Sequence, residues 1–238
     1  HDDVVDNSPI RRGIKSVNNL WTNSHGVLIG DYIYSKAFIL MVQIGDMNIL
    51  KELAAATNDI SQGELIQLDA IKNLNISLNK LKKISYFKTG RLFEAAARTG
   101  ALLNKSNKSY LKNISESAKN LGILFQIRDD LLDYSIDLKT GKPSYQDLRE
   151  GKVTYPFFFA YKNANKKEQK QLRDLLGNKK LNQTATNKLI IKLDGINKTN
   201  KLAKKYFDET IEYANKIKKL SIKQEMIELA NIAINRDK

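Results

Sequence analysis

Cysteine is absent from the 238 residues, which excludes disulfides, a thiolate nucleophile and a thiolate zinc site. Histidine is almost absent: His1 and His25 are the only two, which argues against a histidine metal centre and a Ser-His-Asp triad. Proline occurs only at Pro9, Pro143 and Pro156, so the long interval between the first two is open to helix after helix. No apolar run approaches the roughly 20 residues of a membrane span. No signal-peptide pattern opens the chain, and the expected location is cytoplasmic. Alternating polar-apolar strands and Asn-Gly hairpin signals are missing too.

What remains points to helices. Hydrophobic residues make up 42% of the chain, enough for a real core. Ile114, Ala118, Leu121, Phe125 and Leu132 recur at spacings of three, four and seven and form one stripe. Leu92, Ala95, Ala96 and Thr99 do the same. The patterning predicts helices over 16–45, 47–69, 76–103, 108–134, 144–162, 166–177, 184–194, 198–219 and 221–236. The expected organisation is a single all-α domain over 1–238, with a core over 1–160 and peripheral helices over 161–238, where lysine and asparagine become dense. The chain opens directly on an acidic cluster, and helices preceding it are expected to be missing.

Formal net charge is +14. A basic surface could serve nucleic acid or an anionic membrane. No aromatic-basic repeat accompanies the lysines, so a solvated surface is the plainer reading. No nucleic acid is expected, and at most transient membrane contact.

Two aspartate clusters share one spacing: Asp2-Asp3-Val4-Val5-Asp6 and Asp129-Asp130-Leu131-Leu132-Asp133. On a helix the first and fifth positions project from the same side. Carboxylates this close repel unless a cation intervenes. Two clusters facing each other would cage hard divalent ions, and Mg2+ held by a few carboxylates shares its other sites with substrate phosphates. The physical reading is a diphosphate site bridged by magnesium. In the second cluster Gln126, Asp129 and Asp133 fall on one helical face, with Phe125 and Leu132 turned to the core. Arg11 and Arg12 follow the first cluster closely, and guanidinium forks suit phosphate oxygens. Lys88 and Thr89, then Lys142 and Lys152, supply further anion-binding groups. Taken singly, each of these has a bland reading as a capped helix end, an acidic solvent face or a surface lysine.

The blocks HDDVVDNSPIRRG, GDYIYSKAF, GELIQL, KTGRLFEAAA, FQIRDDLLDY and GKPSYQDLREGKVTYP, in this order and spacing, resemble the trans-isoprenyl (polyprenyl) diphosphate synthase family. They span most of residues 1–156. Within that family DDVVD with RRG, GDYIYSKAF and LFEAAA look most like the bacterial octaprenyl type. The resemblance implies an isoprenoid-synthase helical bundle around a central cavity. It implies condensation of an allylic diphosphate with isopentenyl diphosphate into a long linear all-trans product of the kind used for quinone side chains, by ionisation, condensation and elimination, and a homodimer. By the same resemblance Asp2 and Asp6, supported by Asp3, would bind two Mg2+ ions, and Asp129, helped by Asp130 and Asp133, a third. Arg11 would contact the allylic diphosphate and Arg12 that of isopentenyl diphosphate. Lys88, Thr89, Gln126, Lys142 and Lys152 would surround the departing diphosphate. The family's upstream elements for isopentenyl diphosphate, and the residues before the first cluster that limit product length, have no match here. A shorter-chain synthase, a terpene cyclase and a non-catalytic helical partner are the alternatives, and the intact second cluster argues against a cyclase.

Overall fold

The computed structural model describes residues 1–11, 13–135 and 145–236; Arg12 and Lys142, both expected in the site, lie outside the described residues. The chain divides into two compact units, His1–Lys51 and Glu52–Lys238. Among the described residues the architecture is all-α except for one two-stranded hairpin.

In the first unit the aspartate cluster forms a single helical turn, α1 (Asp2–Val5). A hairpin follows, β1 (Ile10–Arg11) and β2 (Ile14–Lys15), paired antiparallel with Arg11 opposite Ile14. Gly13, at φ +80°, takes the left-handed conformation that the turn between the strands requires. Then come α2 (Val17–Leu20) and α3 (Asn23–Gln43). The single helix expected over 16–45 is therefore broken: Trp21 is non-helical, and the Thr22 hydroxyl accepts from the His25 N–H at 3.3 Å to start α3 afresh. Glycines one turn apart on α3 let α1 approach. A Cβ on Gly26 would lie 2.7 Å from Val4 Cγ2, and one on Gly30 would lie 2.5 Å from His1 Nε2.

In the second unit α4 (Met47–Leu68, its first turn in the other unit) precedes α5 (Leu78–Ser85). One π-helical turn, Tyr86–Gly90, joins α5 to α6 (Arg91–Leu103). Next is α7 (Lys108–Leu132), whose N-cap Asn107 accepts from the Tyr110 N–H. α8 (Gln146–Glu150), α9 (Tyr155–Asn163), α10 (Lys166–Leu175), α11 (Gln183–Lys192), α12 (Gly195–Asn215) and α13 (Leu220–Ile234) complete it. The helix expected over 144–162 is split, because Gly151 turns left-handed at φ +81° and Thr154 and Pro156 open a new helix.

α7 is the axis of this unit, packed against α6, α9, α12, α13 and the π turn. Leu121, Leu124, Ile127 and Leu131 carry its buried stripe. Phe125 and Leu132, expected in the core, are only half-buried, because after Leu121 the stripe advances by steps of three, three and four, through Leu124 and Ile127 to Leu131. The C-terminal helices are not all peripheral. α12 lies along α7 with Ala203, Tyr206 and Ala214 in the main core, whereas α8 to α11 gather around a second cluster that includes Tyr145, Phe157 and Leu172.

Candidate active site

The middle of α7 and the π turn are held together by two glycines. A Cβ on Gly122 would stand 2.5 Å from the Gly90 Cα, so the helix and the turn meet backbone to backbone. That contact sets Thr89 against α7 one turn further on, where its hydroxyl donates to Gln126 Oε1 at 2.7 Å. The Gln126 amide donates in turn to Asp130 Oδ1 at 3.0 Å. Lys88, in the same turn, directs its ammonium to Glu64 at 3.0 Å and Gln67 at 2.5 Å. π-helical turns inside α-helices are frequent at functional sites.

The three aspartates of the second cluster have different surroundings. Asp129 is exposed, with its Oδ1 3.3 Å from Arg236 Nη1. Asp130 is buried and also accepts from the Tyr155 N–H at 3.2 Å. Asp133 accepts from the N–H groups of Gln146 and Asp147 at 2.8 and 3.2 Å. Within the helix the Gln126 amide selects Asp130, four residues along.

Asp147, to which the sequence motifs assign no role, is the fourth carboxylate here. Burial, followed by the nearby Asp147 charge, pushes Asp130 up to about 8 and Asp133 up to about 7. Asp147 itself is pushed up to about 6 by burial, against the pull of the Lys152 ammonium. Lys152 is mostly buried and pairs with Glu150 at 2.7 Å. Lys88, Thr89, Gln126, Asp129, Asp130, Asp133, Asp147 and Lys152 thus form one connected electrostatic group.

In the first unit Asp2 and Asp6 are exposed and one helical turn apart, the Asp6 N–H donating to the Asp2 carbonyl at 2.8 Å. Asp3 is engaged differently: Arg11 Nε donates to its Oδ1 at 2.9 Å. The residue expected to meet a diphosphate therefore pairs with the middle aspartate of the cluster.

Comparison with known proteins places this arrangement. A family model described as polyprenyl synthetase matches residues 1–193. The chain belongs to the polyprenyl synthetase family. It is 32% identical, over all of its length and 75% of the relative's, to octaprenyl diphosphate synthase of Escherichia coli K12. It is 33% identical, over 91% of its length and 68% of the relative's, to geranylgeranyl diphosphate synthase of Saccharolobus solfataricus. The solved polyprenyl synthase of Caulobacter crescentus CB15, complexed with calcium and isoprenyl diphosphate, superposes with a TM-score of 0.92 at 32% identity, covering all of this chain and 74% of that one. The all-α isoprenoid-synthase fold is shared with these structures.

Members of the polyprenyl synthetase family are prenyltransferases of isoprenoid biosynthesis and use Mg2+ with their diphosphate substrate. The second cluster fits such an ion chemically. Its donors are hard carboxylate oxygens, and burial with nearby negative charge raises Asp130 and Asp133, a setting that a cation would relieve. Among the described residues no three acidic or histidine side chains already converge in ligating positions, and each carboxylate of the second cluster is engaged by a donor of the chain itself. Two residues beside the second cluster are given no role by their sequence context alone. Arg236 lies 107 residues from Asp129, and Asp147 looks like an ordinary first-turn acid of α8.

Proposed function

We propose that the protein is an Mg2+-dependent trans-polyprenyl diphosphate synthase that condenses an allylic diphosphate with isopentenyl diphosphate to a long-chain linear product, octaprenyl-like and destined for quinone side chains. The observation that carries this reading is the chain of contacts from Thr89 through Gln126 to Asp130, with Lys88 and Lys152 charged nearby.

Asp129, Asp130 and Asp133, and in the other unit Asp2 and Asp6 supported by Asp3, would hold Mg2+, three ions in all with substrate bound. When bound, the metal neutralises charge on the diphosphate. The chain's own groups do the rest. Arg11 binds the allylic diphosphate and Arg12 that of isopentenyl diphosphate. Lys88, Thr89, Gln126, Lys142 and Lys152 hold the departing diphosphate, and donors fixed before reaction stabilise developing charge without reorganising. The allylic carbon becomes cation-like as its C–O bond breaks. The double bond of isopentenyl diphosphate attacks it, forming the new C–C bond and leaving a cation on the isopentenyl unit, and the neighbouring carbon then gives up a proton to the departing diphosphate, which makes the new double bond. No protein nucleophile is needed, in keeping with a chain that lacks cysteine.

A shorter product is the second reading, supported by the comparable identity to a geranylgeranyl synthase. We read the active form as a homodimer; large apolar side chains exposed on α3, among them Leu28, Tyr32 and Leu40, support a partner in solution. Among the described residues no helix is long and apolar enough to cross a membrane.

Incubation with farnesyl diphosphate, labelled isopentenyl diphosphate and Mg2+, followed by sizing of the products, tests the assignment. Products near eight isoprene units are expected. Products stopping at four establish the shorter-chain reading, and no Mg2+-dependent incorporation rejects both. Sedimentation at micromolar concentration checks the dimer.

A further inference from the structure

The block GELIQL on α4 matches the family in order, yet none of its residues has a part in the reaction outlined above. Its surroundings supply one. A Cβ on Gly63 would lie 2.8 Å from Phe87 Cβ, 3.0 Å from the Lys88 backbone nitrogen and 3.2 Å from Lys88 Cγ. The α4 backbone is therefore pressed directly on the π turn, beside the stem of Lys88. From the same face Glu64 and Gln67 converge on the Lys88 ammonium at 3.0 and 2.5 Å. About one turn and three turns before Gly63 on α4, Asp59 and Glu52 grip Arg91, just past the turn, at 2.9 and 2.7 Å. The helix is thus tied to the turn on both sides of Gly63. The ammonium is close enough to the acidic cluster for Asp147 to feel its charge.

We propose that Glu64 and Gln67 are positioning residues, which aim the Lys88 ammonium at the leaving diphosphate. A lysine stem has many rotamers, so a free ammonium would have to be ordered during the reaction. Two acceptors on a rigid helix do that ordering beforehand, and the glycine at 63 lets the helix come close enough. This inference rests on the role proposed for Lys88.

A double-mutant cycle tests it, run on the intact protein with Mg2+, farnesyl diphosphate and isopentenyl diphosphate, with melting temperature as the control for folding. Lys88→Met is expected to lower kcat/KM about 100-fold, and Gln67→Leu about tenfold through misplacement of the ammonium. The double variant should be no worse than Lys88→Met alone, because residues acting through one group are not additive. A combined loss equal to the product of the two overturns the inference and leaves Lys88 in the site. A parental rate in Lys88→Met removes Lys88 from the reaction and this inference with it. Should Gln67→Leu fold poorly, Glu64→Ala, at a partly exposed position, replaces it in the cycle with the same criterion.

Discussion

Gly122 and Gly90 touch so closely that a side chain on the first would strike the backbone of the second at 2.5 Å. Backbone cannot swing aside as a flexible side chain can, so Gly122→Ala must push α7 away from the π turn. Overpacking of this kind costs about 1–3 kcal/mol, and it separates Thr89 from Gln126. The expected outcome is a lower urea midpoint together with a fall in turnover. Gly100→Ala is the control. Nothing lies within 4 Å of a Cβ built there, and inside α6 alanine should stabilise by about 0.5–1 kcal/mol with turnover unchanged.

Glu52 gives the fold a distinct acid dependence. One of its oxygens takes Arg91 Nη1 and the other Arg98 Nε, both at 2.7 Å. Burial pushes this carboxyl up, but the two guanidinium groups outweigh it and hold it below the usual glutamate range. The unfolded chain therefore binds a proton more readily than the folded one. The stabilisation is complete above the ordinary carboxylate range and is lost as pH falls through the lowered folded value. Glu52→Gln should cost about 3 kcal/mol at pH 7, since it leaves buried guanidinium groups short of a partner. The gap to the parent should begin to narrow as pH falls below the ordinary glutamate value of about 4.3 and keep narrowing on further acidification; parallel unfolding curves from pH 7 downwards check both halves.

Much of the architecture is legible in the chain because local pattern and burial agree. The apolar rhythm of 47–69 and 108–134 predicts α4 and α7 to within a few residues. The break at Trp21–Thr22 is hidden, because the apolar pattern runs straight through a boundary marked only by a Thr cap. The site divides in the same way. Thr89 and Gln126 belong to recognisable blocks and do meet. Asp130 reads as one more acid of its cluster; its surroundings include the Tyr155 N–H and the Asp147 charge, whose positions are set by tertiary packing rather than by the helix that carries the motif.

The seat of α1 makes a prediction within the first unit. Gly26 faces Val4 and Gly30 faces the His1 ring, whose Nε2 also lies 2.9 Å from the Val27 carbonyl oxygen and 3.1 Å from Asp31 Oδ1. Gly30→Ala should displace the ring, and with it the turn that bears Asp2 and Asp6. The Michaelis constant for the allylic diphosphate is expected to rise severalfold, with little change in overall melting temperature because the first turn is exposed. An unchanged Michaelis constant would show that α1 does not depend on this seat.

Arg236 sets the last expectation. Its guanidinium lies 4.4 Å from the centre of the Phe125 ring and 3.3 Å from Asp129 Oδ1, and its carbonyl accepts from Arg128 Nη2 at 2.8 Å. A cation is therefore already beside the aspartate proposed to bind Mg2+, and the two compete for the same oxygen. Asp129 is about half exposed, so water screens the pair and its worth is at most about 1 kcal/mol. Arg236→Gln should accordingly tighten Mg2+ binding up to about fivefold, and Arg236→Lys should leave it near the parental value. Calorimetric titration with Mg2+ in the presence of inorganic pyrophosphate reads this without turnover. Unchanged affinity in Arg236→Gln with a lower melting temperature would make Arg236 an anchor for the end of α13 instead of a competitor at the metal site.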